Sequence, residues 1–290
     1  MDDGTVARLD ARRYVMSTTT ANAAKVMQHL EFCHQVLWPE LDLAMSSITE
    51  QWAQFSVAGP KSRLLLEALF DGAVDVSDAA FPYMGAREHH VGTRPVRLFR
   101  LSFSGERAYE IAVPANRGAA LVAELVRVGA PLGLVPYGTE ALGVMRIEKG
   151  HVAGNEINGQ TVARDLGLGK MMSQKKDYIG RSMAQRPALV APERPTLAGF
   201  VAVDPKQRFG GGAHLLAPGA AVAPQNDLGF ITSVAFSPSL DRWIGLGLIV
   251  NPGERLGQQV RGYDPMRGRD TLLEVVSPVF LDPEGARLHA

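Results

Sequence analysis

Beyond Thr196 the three- and four-residue spacing of apolar side chains stops and does not return. It gives way to a series of short apolar blocks: LAGFVAV, a stretch at 220–222, DLGFITSVAF, WIGLGLIV, QQVRGY and TLLEVVSPVF. Blocks of strand length separated by Gly and Pro turns predict a small all-β sandwich or barrel. Ahead of them, residues 186–195 hold three prolines and few large apolar residues, the composition of a linker. The chain is therefore expected to divide into a mixed region at 1–190 and a β domain at 196–290.

The mixed region alternates helical and strand patterns. Residues 5–19 read as a β-hairpin around a polar DARR turn. Residues 21–37 carry apolar side chains at helical spacing, with Asn22 as a candidate N-cap and Pro39 closing the segment. Next come a strand at 48–57, a Gly59-Pro60 break and a helix at 61–70. Two strands at 91–101 and 108–113, joined by FSGER, precede helices at 117–128 and 138–147. Hairpins mixed with βα units favour an α+β or α/β arrangement over a regular parallel barrel.

With 30 basic and 30 acidic residues the formal net charge is zero, so no basic excess points to nucleic acid or an anionic membrane. Cys33 is the single cysteine, which leaves no internal disulfide and no cysteine-built metal site. No apolar run approaches the ~20 residues of a membrane span. Met1-Asp2-Asp3-Gly4 lacks the pattern of a secretion signal. A soluble cytoplasmic protein without nucleic-acid or membrane partners is expected.

Few motifs rise above a structural role. Gly210-Gly211-Gly212 has no Lys-Ser/Thr after it and opens no helix, so it reads as a hairpin turn. His89-His90 has no ligand partners at metal spacing and reads as a surface pair beside a turn. Ser17 and its threonine neighbours fit a strand end better than a nucleophile, since no histidine completes a triad pattern. Glu148 is different, because it stands where the 138–147 helix should stop. A carboxylate there faces the negative end of the helix dipole, at a cost of roughly 0.3–1 kcal/mol. Lys149 supplies a compensating cation and Gly150 a C-cap. Asp2-Asp3 before the first strand, and Lys175-Lys176 with Arg181 beside Tyr178, are further charged candidates. The basic group could hold an anionic tail.

Together, DDGTVARL, TEQWAQFSVAGPKSR, LFRLSFSGERAYEIAVP, YGTEALGVMRIEKGHVAGNEINGQTVARDLGLG, SQKKDYIGR, GFITSVAFSPSL and VVSPVFLDPEGARLH resemble the glycine-cleavage T-protein (aminomethyltransferase) family. Within it, the final VFLDPEGARLH is most similar to the C-terminal part of the sarcosine oxidase alpha-subunit branch. The resemblance implies an α+β, T-protein-like folate-binding fold of three contiguous subdomains around a central hole, ending in a small C-terminal β-barrel. Relatives carry further strands and a helix before the Asp-Asp segment. An N-terminally truncated version is therefore expected: a fragment, a shortened gene product or one piece of a split subunit.

The same resemblance implies tetrahydrofolate as one-carbon acceptor and 5,10-methylenetetrahydrofolate as product. The carbon would come from an N-methyl amine oxidised on flavin-containing sarcosine oxidase subunits of a hetero-oligomer. By position, Asp3 matches the carboxylate that assists at the folate nitrogens, and Glu148 matches the one that holds the pterin. Lys176 falls near the family's basic position for the glutamyl tail, and Arg181 is a neighbouring candidate. Glu106 matches a recurrent acidic position, while Phe103 stands where the family has a tyrosine. The alternative is a non-catalytic folate-binding or structural subunit. The iron–sulfur maintenance branch has Lys-Gly-Cys-Tyr where this chain has Lys149-Gly150-His151-Val152.

Overall fold

The computed structural model describes residues 2–289, and the chain groups into two compact units. The first comprises residues 2–137 together with 285–289, and the second residues 138–284.

The first unit opens with β1 (Gly4–Arg8) and β2 (Tyr14–Thr18), an antiparallel pair in which Thr5 faces Ser17. Gly4 is required at its head, because a Cβ there would collide with the Ser17 carbonyl oxygen. Next comes α1 (Ala23–Phe32), which runs into a π-helical turn at Cys33–Leu37. Asn22 precedes α1 as expected, but its side chain does not cap the helix. It donates instead to Asp2 Oδ1 at 3.1 Å.

Four strands form the main sheet of this unit: β3 (Trp52–Ala58), β4 (Ala86–Val91), β5 (Arg94–Phe99) and β6 (Ala108–Pro114). They are antiparallel in the order β3-β6-β5-β4. Alternate residues Tyr109, Ile111 and Val113 of β6 meet Val57, Val96 and Leu98 in one core. Leu65, Leu66 and Phe70 of α2 (Ser62–Phe70) and Leu125 of α3 (Gly118–Gly129) join the same core. Each such side chain, fully buried, contributes roughly 1.5–3 kcal/mol. His89 and His90 lie within β4, close before the turn at Gly92. The apolar pattern gives no sign of this strand, because AREHHV is too polar to alternate.

The second unit begins with α4 (Thr139–Lys149), followed by irregular chain with short helices at Arg181–Ala184 and Pro187–Val190. Six strands then close into an antiparallel barrel: β7 (Pro195–Ala202), β8 (His214–Leu216), β9 (Gly229–Ser237), β10 (Arg242–Val250), β11 (Gln259–Asp264) and β12 (Arg269–Val276). The ring order is β10-β7-β12-β11-β8-β9. Phe200, Leu215, Ile231, Leu273 and Val275 fill its interior with no exposed surface.

Two details of this unit differ from the sequence reading. The barrel strand expected at 220–222 is instead His214–Leu216, since only the latter finds partners, in Arg261–Tyr263 and in Gly229-Phe230. Gly210-Gly211-Gly212 forms a turn but not a hairpin. It lies on the crossover from β7 to β8, which are not neighbours, and the Gly212 N–H donates to the Ile231 carbonyl at 2.8 Å.

Candidate functional site

The last turn of α4 buries three charged side chains in a row of four: Arg146, Glu148 and Lys149 are each less than a tenth exposed. Such burial is sustained only where every charge finds a partner. Arg146 donates to Glu156 Oε2 at 3.1 Å and to Ser233 Oγ at 2.7 Å. Lys149 donates to the Asp282 carbonyl at 2.5 Å and lies 3.3 Å from its carboxylate. Glu156, fully buried, also accepts the Ala153 N–H at 2.8 Å and the Ser233 hydroxyl at 2.5 Å.

Glu148 is held in a different way. Its backbone carbonyl is one of the four that a helix end leaves unpaired. Here it accepts two N–H groups, from Phe280 at 2.9 Å and Leu281 at 3.0 Å. Gly150 ends the helix in the left-handed conformation at φ 77°. A Cβ on Gly150 would lie 2.5 Å from the Pro278 carbonyl oxygen, so conformation and space both demand glycine. The 278–281 strap thus neutralises the helix end on which Glu148 sits.

The Glu148 carboxylate accepts the Ser237 hydroxyl at 2.5 Å through Oε1. Its other oxygen accepts no hydrogen bond among the described residues. A carboxylate has about four lone-pair positions, so one is filled and the rest stay available. Glu148 is therefore fixed in place but chemically one-sided.

Lys176 and Arg181 lie in the irregular stretch of the same unit. Lys176 is exposed, and only its backbone is anchored, by Ser173 Oγ at 3.1 Å. Arg181 is half-buried and sits 4.0 Å from Asp177, itself almost fully exposed. Within the unit no hydrogen bond or ion pair joins Glu148, Lys176 and Arg181 to one another among the described residues.

In the first unit the neighbouring aspartates divide into two roles. Asp2 accepts from Thr19 N at 3.1 Å, Thr19 Oγ1 at 2.8 Å and Asn22 Nδ2 at 3.1 Å, tying the end of β2 to the start of α1. Against desolvation, these hydrogen bonds together hold its carboxyl below the usual value. Asp3 has no side-chain partner among the described residues and stands at the entrance of β1. Local desolvation, reinforced by the Asp2 charge, pushes its carboxyl up. Glu106, between β5 and β6, accepts from Arg287 Nη1 at 2.6 Å, which joins the Ser-Gly-Glu turn to the helix Ala286–His289. Phe103 in that turn is exposed.

Sequence reasoning does not find Ser237, Arg146 or Arg287. Ser237 lies in GFITSVAFSPSL, where the Ser-Pro at a strand end marks a turn but gives no sign of the residue it meets. Among the described residues no group of three His, Cys, Asp or Glu side chains is placed to hold a metal ion, and no helix is long and apolar enough to cross a membrane.

Comparisons with known proteins agree with this architecture. The sarcosine oxidase subunit alpha of Rhizobium meliloti is 50% identical over 291 residues, covering 99% of this chain and 29% of that protein. This chain thus spans about three tenths of the length of the sarcosine oxidase alpha subunits it matches. An aminomethyltransferase of Streptomyces avermitilis is 27% identical, over 97% of this chain and 72% of its own length. The crystal structure of the glycine cleavage system aminomethyltransferase T from Bartonella henselae superposes with a TM-score of 0.79 at 22% identity, covering 97% of this chain and 72% of that one. The GCVT N-terminal domain matches residues 1–176 and the glycine cleavage T-protein C-terminal barrel domain matches residues 196–282. On its barrel, its helix-backed sheet and these matches, the chain belongs to the glycine cleavage T-protein family.

Proposed function

We propose that the chain is a tetrahydrofolate-dependent one-carbon transfer module of the sarcosine oxidase alpha-subunit kind, yielding 5,10-methylenetetrahydrofolate. The observation that carries this reading is Glu148, a buried carboxylate with one oxygen fixed by Ser237 and the other without a partner among the described residues. The 2-amino-4-oxo edge of a pterin presents two adjacent N–H donors, which a carboxylate accepts as it accepts a guanidinium. The acceptor that Glu148 presents therefore fits the group.

Tetrahydrofolate, when bound, supplies two nucleophilic nitrogens that take up the one-carbon unit. The work of this chain is to bind and orient. Glu148 fixes the pterin edge, and its rigid support gives the positional advantage of a preorganised site. Lys176 and Arg181, on exposed chain, meet the carboxylates of the glutamyl tail. Glu106 contributes through its pair with Arg287. Asp3, whose carboxyl is raised and whose side chain has no partner among the described residues, holds or accepts a proton at the reacting nitrogen. Flavin-containing partner subunits supply the oxidised amine.

Asp3 also favours a second reading. An acid whose carboxylate is held by no other side chain among the described residues is consistent with a module that binds folate without transferring carbon. Calorimetric titration of tetrahydrofolate, followed by product analysis with a sarcosine-oxidising flavoprotein added, separates the two. Saturable binding with methylene product supports transfer. Binding without product leaves the binding module, and the absence of binding refutes both.

A further inference from the structure

A concave feature lies wholly within the first unit, lined by none of the five candidate site residues. It is a cleft of about 190 Å³ between α2, α3 and the adjoining ends of β5 and β6. Its floor is apolar, made by Phe70, Val96, Ile111, Val113 and Leu121. The first four belong to the buried core of the unit and Leu121 packs on that core. A group entering the cleft would therefore extend an existing core outward. A cavity of roughly 150 Å³ with such a lining accepts a benzene ring, so this one has room for a single ring and a short substituent.

Charge at its edge narrows the occupant further. Arg94 and Arg117 both line the cleft and are both exposed. Neither has an ion pair or side-chain hydrogen bond among the described residues. The one acid on the rim, Glu124, is already taken by Arg127, at 2.8 and 2.5 Å. The first turn of α3 carries no acidic residue, and no side chain caps it. Its positive end adds to the same field. An apolar floor beneath two unpaired guanidinium groups is complementary to a ring bearing one negative charge.

We infer that this cleft is a binding site for a small aromatic carboxylate. The ring lies on Phe70 and Leu121, and the carboxylate meets Arg94 and Arg117. The site is independent of the folate reading and holds whether or not that reading does.

Phenylacetate is the probe, compared with 2-phenylethanol, which keeps the ring and removes the charge. Titrations of the whole chain by calorimetry and ligand-observed NMR are expected to show one saturable phenylacetate site. The alcohol is expected to bind at least about tenfold more weakly, as the loss of charge-assisted hydrogen bonds implies. The double variant Arg94→Ala/Arg117→Ala should lose phenylacetate affinity by a similar factor while keeping its melting temperature. Leu121→Trp, which fills the cleft from within, should abolish binding. No saturable binding, equal affinity for the alcohol, or unchanged affinity in the double variant would overturn the site. Markedly tighter binding of a peptide ending in phenylalanine would overturn the small-molecule assignment in favour of a protein partner.

Discussion

Ser237 gives its single hydroxyl proton to Glu148 while its oxygen accepts the Leu240 N–H at 3.1 Å. That second bond occupies one acceptor position of the hydroxyl oxygen, so the pair of bonds favours the rotamer that directs the proton at Oε1. A residue at the end of a barrel strand thereby sets the orientation of a carboxylate 89 positions earlier. Glu148 is accordingly an acceptor with a defined open side rather than a freely rotating acid.

Replacing Glu148 by glutamine keeps the acceptor for Ser237 and removes the charge. Tetrahydrofolate affinity should fall by about 1.5–3 kcal/mol, the range for a hydrogen bond to a charged group. That is roughly a tenfold to hundredfold change in Kd. Chemical unfolding should be nearly unchanged. Equal affinity in titrations of the two proteins would remove Glu148 from the binding site.

Ser237→Ala tests the support rather than the ligand contact. It strands a buried carboxylate oxygen and the Leu240 N–H together, which costs about 1–3 kcal/mol per unsatisfied group. Urea unfolding should register the loss, and folate affinity should fall as well because Oε1 is no longer fixed. A loss of affinity at unchanged stability would contradict this account.

Gly150→Ala should be more damaging than its size suggests. The left-handed conformation alone costs an L-residue roughly 1–2 kcal/mol. The added Cβ also meets the Pro278 carbonyl at 2.5 Å. A fall in urea midpoint is the expected result, against no fall for Gly143→Ala, a helical position with open space where alanine is the better helix former.

Asp2 and Asp3 should separate cleanly. Asp2→Ala loses three hydrogen bonds and should destabilise the fold by about 1 kcal/mol, while Asp3→Asn should leave the melting temperature unchanged. If Asp3 is the proton acceptor, Asp3→Asn should slow methylene transfer by about a hundredfold or more. The wild-type rate should decline as pH falls through a value above the ordinary 3.8 of an aspartate, because the ionised form is the active one.

Asp78 should contribute to the acid stability of the first unit. Hydrogen bonds from Arg63, then from the buried Arg100, hold its carboxyl down at about 2 from 3.8. A carboxyl depressed in the fold stabilises it fully above the unfolded value and progressively less as pH falls through the folded one. Stability should therefore drop between about pH 4 and pH 2. Asp78→Asn should flatten that dependence in unfolding curves measured across the window.

Much of this molecule is legible where the determining contacts are local. The Gly150 cap, the helix bearing Glu148 and the glycine-punctuated strands all arise from patterns within a few residues. β4 is hidden because Glu88, His89 and His90 replace the apolar alternation that marks a strand. Three-residue β8 is too short to carry any pattern, and only its neighbours define it. Asp2 and Asp3 are chemically identical in the sequence. Thr19 and Asn22 distinguish them, and that requires the hairpin to fold. Ser237 becomes visible as a partner only when the barrel brings it to the end of α4.

The division of the chain has a consequence for its synthesis. Residues 138–284 form one unbroken segment and can complete their unit as soon as they have emerged from the ribosome. The first unit includes 285–289, and its Glu106–Arg287 ion pair closes a loop of 181 residues. Most of that unit is made first, yet it is the last to be finished. During translation the sheet and its core, all within residues 52–134, are made well before the 285–289 segment that docks on their unit, and an unfinished chain is exposed to chaperones and proteases in that interval.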